Sequence, residues 1–501
     1  DSVAVAAGTY VENINFRGRN IKVVGEDRET TIIDGGADTT FNNASGVVVF
    51  SSGETSAALL DGFTIQDGTS FRGGGILIEI SSPTIENLII KNNSALTGGG
   101  VHIQTGDPNF NNVDFLNNVS GANAGALSVC CGSQSIFTNC TFAGNQSGGS
   151  GGGVYVETAT PNFINVTFYG NNSTGAGEGL VLSAGSTVGL TNSILWNNNP
   201  DQILFQSDGD ANSLTVAYSN IQGGQDSIAT NNNGTVTWGS GNIDVDPMFV
   251  DSTNGDYNLL ADSRLIDAGH PDSTDADGTI TDMGAYYYDQ AGQPVRVSNL
   301  ITTPSADNVS VKWNANSAAA SYNIYRSTDV SADFYSLSPY TTESDTSYVD
   351  ETAADNTTYH YRVSAVDSES DEGILAYSEH GRTGPDSTAL YAPDVYLSRT
   401  LPANLDAGTN FTLEGFFRFP VTPAEERWFF SLEPELSVSM FPDEAGVLLR
   451  LIHNEDSYDG IVISDTSWHH LALATDGSTS TLWVDGYAAA QSAAGFSIND
   501  R

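Results

Sequence analysis

Between residues 75 and 198 the chain alternates apolar and polar residues in short runs that return at a nearly fixed interval. Five runs begin on Asn: Asn87-Leu88-Ile89-Ile90-Lys91, Asn112-Val113-Asp114-Phe115-Leu116, Asn139-Cys140-Thr141-Phe142-Ala143, Asn165-Val166-Thr167-Phe168-Tyr169 and Asn192-Ser193-Ile194-Leu195-Trp196. Their leading Asn residues lie 25, 27, 26 and 27 positions apart. A second set keeps step ahead of them, opening at Gly75, Gly100, Gly125, Gly153 and Gly179. Alternation at period two is the signature of a strand, so each repeat is predicted to hold two short strands. The interval leaves no room for a helix between them. Like strands must therefore stack on like, one coil above the next, as a solenoid.

In each Asn-led run the second and fourth residues share a face: Leu88 and Ile90, Val113 and Phe115, Cys140 and Phe142, Val166 and Phe168, Ser193 and Leu195. That face is the predicted core. Two Asn columns flank it, Asn87, Asn112, Asn139, Asn165, Asn192 and Asn93, Asn118, Asn145, Asn171, Asn198. Stacked amides bond along the axis, and Asn tolerates the left-handed backbone of tight turns. We read triplets such as Asn92-Asn93-Ser94 and Asn165-Val166-Thr167 as ladder positions rather than glycan acceptors.

These runs resemble the right-handed parallel β-helix proteins of the pectate-lyase-like superfamily. The opening Val5-Ala6-Ala7-Gly8-Thr9-Tyr10 and Ile32-Ile33-Asp34-Gly35 are similar to that family's first coils without its usual N-terminal cap. Residues 191–286 resemble the narrower choice-of-anchor Q group of bacterial surface proteins. The matching text is Asn192-Ser193-Ile194-Leu195-Trp196-Asn197-Asn198, Tyr218-Ser219-Asn220-Ile221, Asp246-Pro247-Met248-Phe249-Val250, Leu265-Ile266-Asp267-Ala268-Gly269 and Asp282-Met283-Gly284-Ala285-Tyr286.

The glycine-rich repeat stops near Pro294. Val309-Ser310-Val311-Lys312-Trp313, Tyr322-Asn323-Ile324-Tyr325-Arg326 and the run from Tyr359 to Asp367 then have β-sandwich spacing. With Trp313 placed to fill a core and Tyr359 placed as a corner tyrosine, residues 294–384 resemble a fibronectin type III domain. No RGD triplet occurs, and the expected role is a spacer. Residues 388–501 alternate again, in Phe411-Thr412-Leu413-Glu414-Gly415-Phe416-Phe417, Trp468-His469-His470-Leu471-Ala472-Leu473 and Leu482-Trp483-Val484-Asp485-Gly486. They resemble a laminin G-like or concanavalin-like jelly roll whose closing strands lie beyond Arg501, a partial domain. The expected fold is all-β: a right-handed parallel β-helix over 1–289, a β-sandwich over 294–384 and a partial jelly roll over 388–501, set in a row by short joins near Pro294 and Pro385.

Charge narrows the partners. The 501 residues carry 61 Asp plus Glu against 17 Lys plus Arg, a net charge of -44. Neither a phosphate backbone nor an anionic bilayer suits such a surface, so no nucleic acid is expected, and no apolar stretch is long enough for membrane insertion. The opening residues read as strand rather than an export signal, which any precursor would carry outside this sequence. Of Cys130, Cys131 and Cys140 at most two can pair within the chain; small buried thiols and one disulfide to Cys140 are both open.

Polysaccharide lyases of the resembled superfamily use an outward Arg or Lys as base, with carboxylates that hold calcium to the uronate. The outward residues of the Gly-led runs read Leu77, His102, Leu127, Tyr155, Val181 and Glu79, Gln104, Val129, Glu157, Ser183. Glu79 and Glu157 fall three coils apart, about 14 Å at ~4.8 Å per strand, too far for the ~5 to 9.5 Å of paired glycosidase carboxylates. On the Asn-led runs only Lys91 and Asp114 carry catalytic chemistry, and one Lys beside one Asp reads as an ion pair. No catalytic residues are therefore assigned. Tyr169 and Trp196 fall in one outward column on adjacent coils, as a platform for a sugar ring or as rings covered by a loop. Residues 201–289 hold 15 Asp, no Glu and one basic residue, Arg264. Within them Asp272, Asp275 and Asp277 before Gly278 place hard oxygens at a turn, as calcium prefers, although Asp is also an ordinary turn residue. His469 and His470, on opposite faces of one strand, cannot share a metal ion. The expected protein is a non-catalytic extracellular or cell-surface module, bacterial by resemblance, that binds polysaccharide or a surface protein, with calcium as its candidate cofactor; a lyase or hydrolase and a structural stalk are the rival expectations.

Overall fold

The computed structural model describes residues 1–36 and 46–382, apart from 306, 330–331 and 355–356, and past residue 382 the strands between Asn410 and Ser492. The chain divides into two units, Asp1–Leu390 and Tyr391–Arg501. The expected join near Pro385 lies outside the described residues.

The first unit opens with a parallel-strand solenoid. Nine strands, from Ile14–Asn15 to Ile228–Ala229, form one sheet of single strands per coil; a second, 17-stranded sheet carries two legs per coil; five short strands from Thr69–Arg72 to Asn172–Ser173 form a third. Each central coil therefore has more strand than the two runs predicted from alternation. In the coil around residue 100 the path is Ser94–Thr97, a glycine turn, Val101–Gln104, then Asn109–Leu116. That last strand bends at Asn112, where φ is 55°. Asn87, Asn139, Asn165 and Asn192 bend their own coils with φ of 51–53°; a short amide side chain makes this left-handed backbone tolerable. The bend puts the leg before the Asn and the leg after it on two faces of the solenoid.

Inside, the side chains stack on themselves. The five inward pairs predicted from the Asn-led runs, Leu88 to Leu195, are fully buried. Phe115, Phe142 and Phe168 lie 4.5 and 4.8 Å apart as stacked rings, beside a parallel column of Phe110, Phe137 and Phe163 at 4.9 Å. Such pairs contribute about 0.5–1.5 kcal/mol each beyond the area they bury.

The second Asn column is a buried ladder. Asn93 Nδ2 donates to Asn118 Oδ1 at 3.1 Å, Asn118 to Asn145 at 3.1 Å, Asn145 to Asn171 at 2.9 Å and Asn171 to Asn198 at 2.9 Å. The backbone N–H of each also donates to the next Oδ1, and each Nδ2 also reaches a strand carbonyl such as Phe115 O. Every amide thus has its partners without water, which is what burial of an amide requires. Asn92, read as part of the ladder, instead sits exposed in the turn beside it with φ 55°.

The glycine turns close the coil tightly. A Cβ on Gly99 would lie 2.4 Å from the carbonyl oxygens of both Gly125 and Val119, so no other residue fits between neighbouring coils. One register differs from the expectation. Val101 pairs with Leu127 and His102 with Ser128, so Ala126, not Gly125, follows Gly100. The extra residue is absorbed in the turn, and the outward columns at this coil hold Ser128 and Cys130 in place of Leu127 and Val129. Cys130, Cys131 and Cys140 are free thiols, Cys131 exposed and the other two buried, so the small buried thiols of the two open alternatives are what the fold holds, and the disulfide to Cys140 is not formed.

Seven antiparallel strands follow in the same unit. Ile301–Pro304, Val309–Lys312 and Ser347–Asp350 form one sheet, and Thr341–Glu343, Ser321–Ser327, Thr358–Val366 and Glu379–Arg382 the other, a fibronectin-like sandwich. Trp313 lies buried against Tyr322, and the Tyr359 hydroxyl accepts Ala354 N–H. Tyr361 is fully buried, and its hydroxyl donates to Asp350; Arg326 bonds the same carboxylate and lies across the rings of Tyr340 and Tyr359. These bonds hold the Asp350 carboxyl below its usual range against the burial that would raise it.

The sandwich packs onto the segment that ends the solenoid. Arg362 grips Asp262 with two nitrogens, Arg296 lies 4.1 Å over the Tyr377 ring, and Ile374 joins a buried cluster with Leu259, Leu265, Ile266 and Met283. In the second unit two four-stranded antiparallel sheets are described, one of Asn410–Phe417, His469–Asp476, Ser480–Val484 and Tyr487–Ser492, the other of Arg427–Leu432, Leu436–Asp443, Gly446–His453 and Asp456–Ile463. The side chains of His469 and His470 lie outside the described residues.

Candidate ligand-binding cleft and the strap beside it

Residues 244–290 turn back along the solenoid as a mostly irregular strap. It crosses the leg that follows each Asn bend, the face where Ile89, Asp114, Thr141, Thr167 and Ile194 form one outward column, as expected. The strap consumes that column. Tyr286 Oη donates to Asp114 Oδ1 at 2.8 Å and accepts from Thr141 at 3.1 Å; Ala285 N–H donates to Thr167 at 3.0 Å. Asn165 Nδ2 reaches Thr281 Oγ1 and Asp282 O, and His270 N–H reaches Asn192 Oδ1. The ion pair expected between Asp114 and Lys91 is replaced. Arg28, far outside the repeat in sequence, meets Asp114 at 3.0 Å.

The next column, Lys91, Leu116, Ala143, Tyr169 and Trp196, carries the expected sugar platform. The structure does bring Tyr169 and Trp196 together on paired strands, and it also lays the strap's hairpin, Phe249–Asp251 with Asp256–Leu259, against them. Phe249 and Tyr257 pack on Tyr169 at 5.7 and 5.2 Å, and Ser252 Oγ donates to its hydroxyl at 3.0 Å. What results is a cleft of about 420 Å³ lined by Tyr169, Trp196, Asp246, Met248, Phe249, Ser252 and Leu260. Burial, with the charge of nearby Asp114 adding to it, pushes the Tyr257 hydroxyl up to about 12.

The strap's aspartates brace its own backbone. Asp275 accepts Thr281 Oγ1 and Asp282 N–H; Asp277 accepts Thr279 N–H and Gln290 N–H; Asp282 accepts Asp267 N–H and Tyr288 N–H. Asp272 is exposed, its N–H donating to His270. Among the described residues no three carboxylate, thiol or imidazole groups converge as a metal site. Burial, then its neighbours Asp275 and Asp267, raise the Asp282 carboxyl to about 7. Asp275 is raised as well, mainly by burial, whereas the N–H donors of Asp277 outweigh its slight burial and lower it.

On the opposite sheet the column of Leu77, His102, Ser128, Tyr155 and Val181 lies under the glycine turns. His102 is 5% exposed, and among the described residues neither of its ring nitrogens has a hydrogen-bond partner. Burial, with Arg72 nearby, lowers it to about 4. The alternation places His102 among the outward residues, and the signal that it is nonetheless buried is the glycine triplet two residues ahead of it, which folds over the strand. Glu79 and Glu157 stand three strands apart, as expected.

Among the described residues no helix is long and apolar enough to cross a membrane. No family model and no curated protein matches the chain. Among solved structures it is similar to a Fn3-like protein from Clostridium thermocellum, at 28% identity over 17% of this chain and 86% of that one with a TM-score of 0.15. A structure described as FN3tt mut is 15% identical over 18% of this chain and 97% of that one, TM-score 0.16. A beta-1,2-glucanase from Parabacteroides distasonis is 22% identical over 22% of this chain and 15% of that one, TM-score 0.16. Each likeness spans about one module, so the fold assignment rests on the chain's own strand order.

Proposed function

We propose that this is a non-catalytic modular protein of the bacterial cell surface or extracellular matrix that holds polysaccharide in the cleft over Tyr169 and Trp196. The observation that carries the reading is the strap. Asp114, Thr141 and Thr167, the hydrogen-bonding groups of that outward column, are bonded to Tyr286, Ala285 and Arg28. A glycosidic bond over that column meets no free acid or base among the described residues, and the open aromatic cleft next to it offers a single carboxylate, Asp246, and not the pair that glycosidases use. The choice-of-anchor Q resemblance of residues 191–286 and the laminin G-like resemblance of residues 388–501 support the same reading.

The test is a glycan array run beside an unsaturated-uronate absorbance assay and a reducing-sugar assay. Binding without turnover is the expected result. Turnover would make the protein a lyase or hydrolase, and silence in all three would leave a structural stalk or an adhesin for another surface protein.

A further inference from the structure

The cleft's chemistry specifies its sugar more narrowly. Resting on the polysaccharide reading above, we infer that the cleft selects a protonated amino sugar, a hexosamine with its amine free, over acetylated or uronate units. Three of the residues lining it, Tyr169, Trp196 and Phe249, are aromatic, and the π faces of such rings attract cations as well as the apolar face of a pyranose. Asp246 is the one charged side chain among the described lining residues. Its Oδ1 accepts Met248 N–H at 2.9 Å, and its Oδ2 has no hydrogen bond to a described residue. A carboxylate oxygen beside aromatic rings is the arrangement that holds an alkylammonium group, charge against charge and C–H against ring.

The surroundings push the same way. The hairpin that forms one wall sets Asp251 opposite Asp256. Residues 201–289 contain 15 Asp and one basic residue, Arg264, which faces the Tyr377 ring of the sandwich at 5.8 Å. A uronate or phosphate entering the cleft meets repulsion from Asp246, because no cation lines it among the described residues. An ammonium ion is drawn in by a field that a net charge of -44 sustains. The volume, about 420 Å³, lies in the range of small-ligand pockets and suits one or two hexose rings.

The test is calorimetric titration of the full chain with three oligosaccharides of equal length: glucosamine, N-acetylglucosamine and galacturonate. The glucosamine oligomer should bind at least ~tenfold more tightly than its acetylated form, the preference should shrink at high salt, and galacturonate should give no heat. Asp246→Asn, an exposed substitution, should erase the preference and leave weak, equal binding of the first two; Trp196→Phe should weaken both. Equal affinity of the wild type for both hexosamines overturns the ammonium inference and leaves the polysaccharide reading standing. A preference that survives Asp246→Asn also overturns it, since the overall field and not this cleft would then be the cause. No binding of any sugar sinks both readings.

Discussion

The coils and the strap bury polar side chains by opposite means. In the coils an Asn is paired with the same Asn one coil away, so a single arrangement is repeated from Asn93 to Asn198. In the strap several Asp accept backbone N–H groups at separations from two to fifteen residues, as Asp277 does from Thr279 and Gln290 and Asp282 from Asp267, and no arrangement repeats. The Asn ladder of the coils carries its buried polarity as neutral amides, whereas the strap carries it as carboxylates crowded together. Repetition makes the coil energetics cooperative along the axis; one-off bracing ties the strap's stability to the protonation of particular groups.

That contrast is sharpest at Asn145. Asn145→Ala removes the acceptor of Asn118 N–H and Nδ2 and the donor to Phe115 O. Asn118 N–H and Phe115 O then lose their Asn145 partners, at about 1–3 kcal/mol each, while Asn118 Nδ2 keeps Ile90 O, so chemical denaturation should show a loss of roughly 4 kcal/mol. Asp277→Asn in the strap should cost less than about 1 kcal/mol, because that side chain is close to solvent. Equal losses would erase the distinction.

The pH dependence should split the two regions. Asp282 has a carboxyl at about 7 in the fold against 3.8 for the free group. The native strap keeps that proton to higher pH than the unfolded chain, so stability falls as pH rises from about 4 to 7, by on the order of 4 kcal/mol. His102 runs the other way. Lowered to about 4 from 6.5, it is neutral in the fold where the unfolded chain would protonate it, and stability is lost as pH falls from 6.5 toward 4, by roughly 3 kcal/mol. The slopes oppose each other over their shared window. Asp282→Asn should expose the acid-side loss and His102→Leu the loss on raising pH, read from denaturation midpoints between pH 4 and 7; if the two variants keep the same profile, neither assignment stands.

The smallest expected effect concerns calcium. Asp275 and Asp277 already hold N–H donors, so EGTA at constant ionic strength should leave the melting temperature unchanged. A drop that Asp275→Asn with Asp277→Asn abolishes would place calcium at Asp272, Asp275 and Asp277.

Much of the coil was legible because its physics repeats: alternation named Leu88, Phe115 and Phe168 as core, and the spacing of Asn93, Asn118 and Asn145 named the ladder. The one register slip, at Gly125, came from a turn that absorbs a residue without disturbing the strand. The leg before each bend escaped notice because segments such as Ile136–Thr138 are too short to show a period. The strap was opaque for a different reason. Tyr286 with Asp114 and Arg28 with Asp114 join residues far apart in sequence that no local pattern relates. The platform of Tyr169 and Trp196 was readable from register, but the hairpin against it was not, since only the returning chain puts Phe249 and Ser252 there.

The strap also fixes how many coils lie between Asp114 and Asn192. Coils are interchangeable modules in principle, and duplicating one would lengthen such a protein without altering either end. Here Asn192, Thr167, Thr141 and Asp114 are each held by a particular residue between His270 and Tyr286. One added coil would shift the far contacts by about 4.8 Å and leave Tyr286 short of Asp114. The strap therefore acts as a ruler, and lineages that keep it are expected to exchange residues within coils while conserving the number of coils it measures.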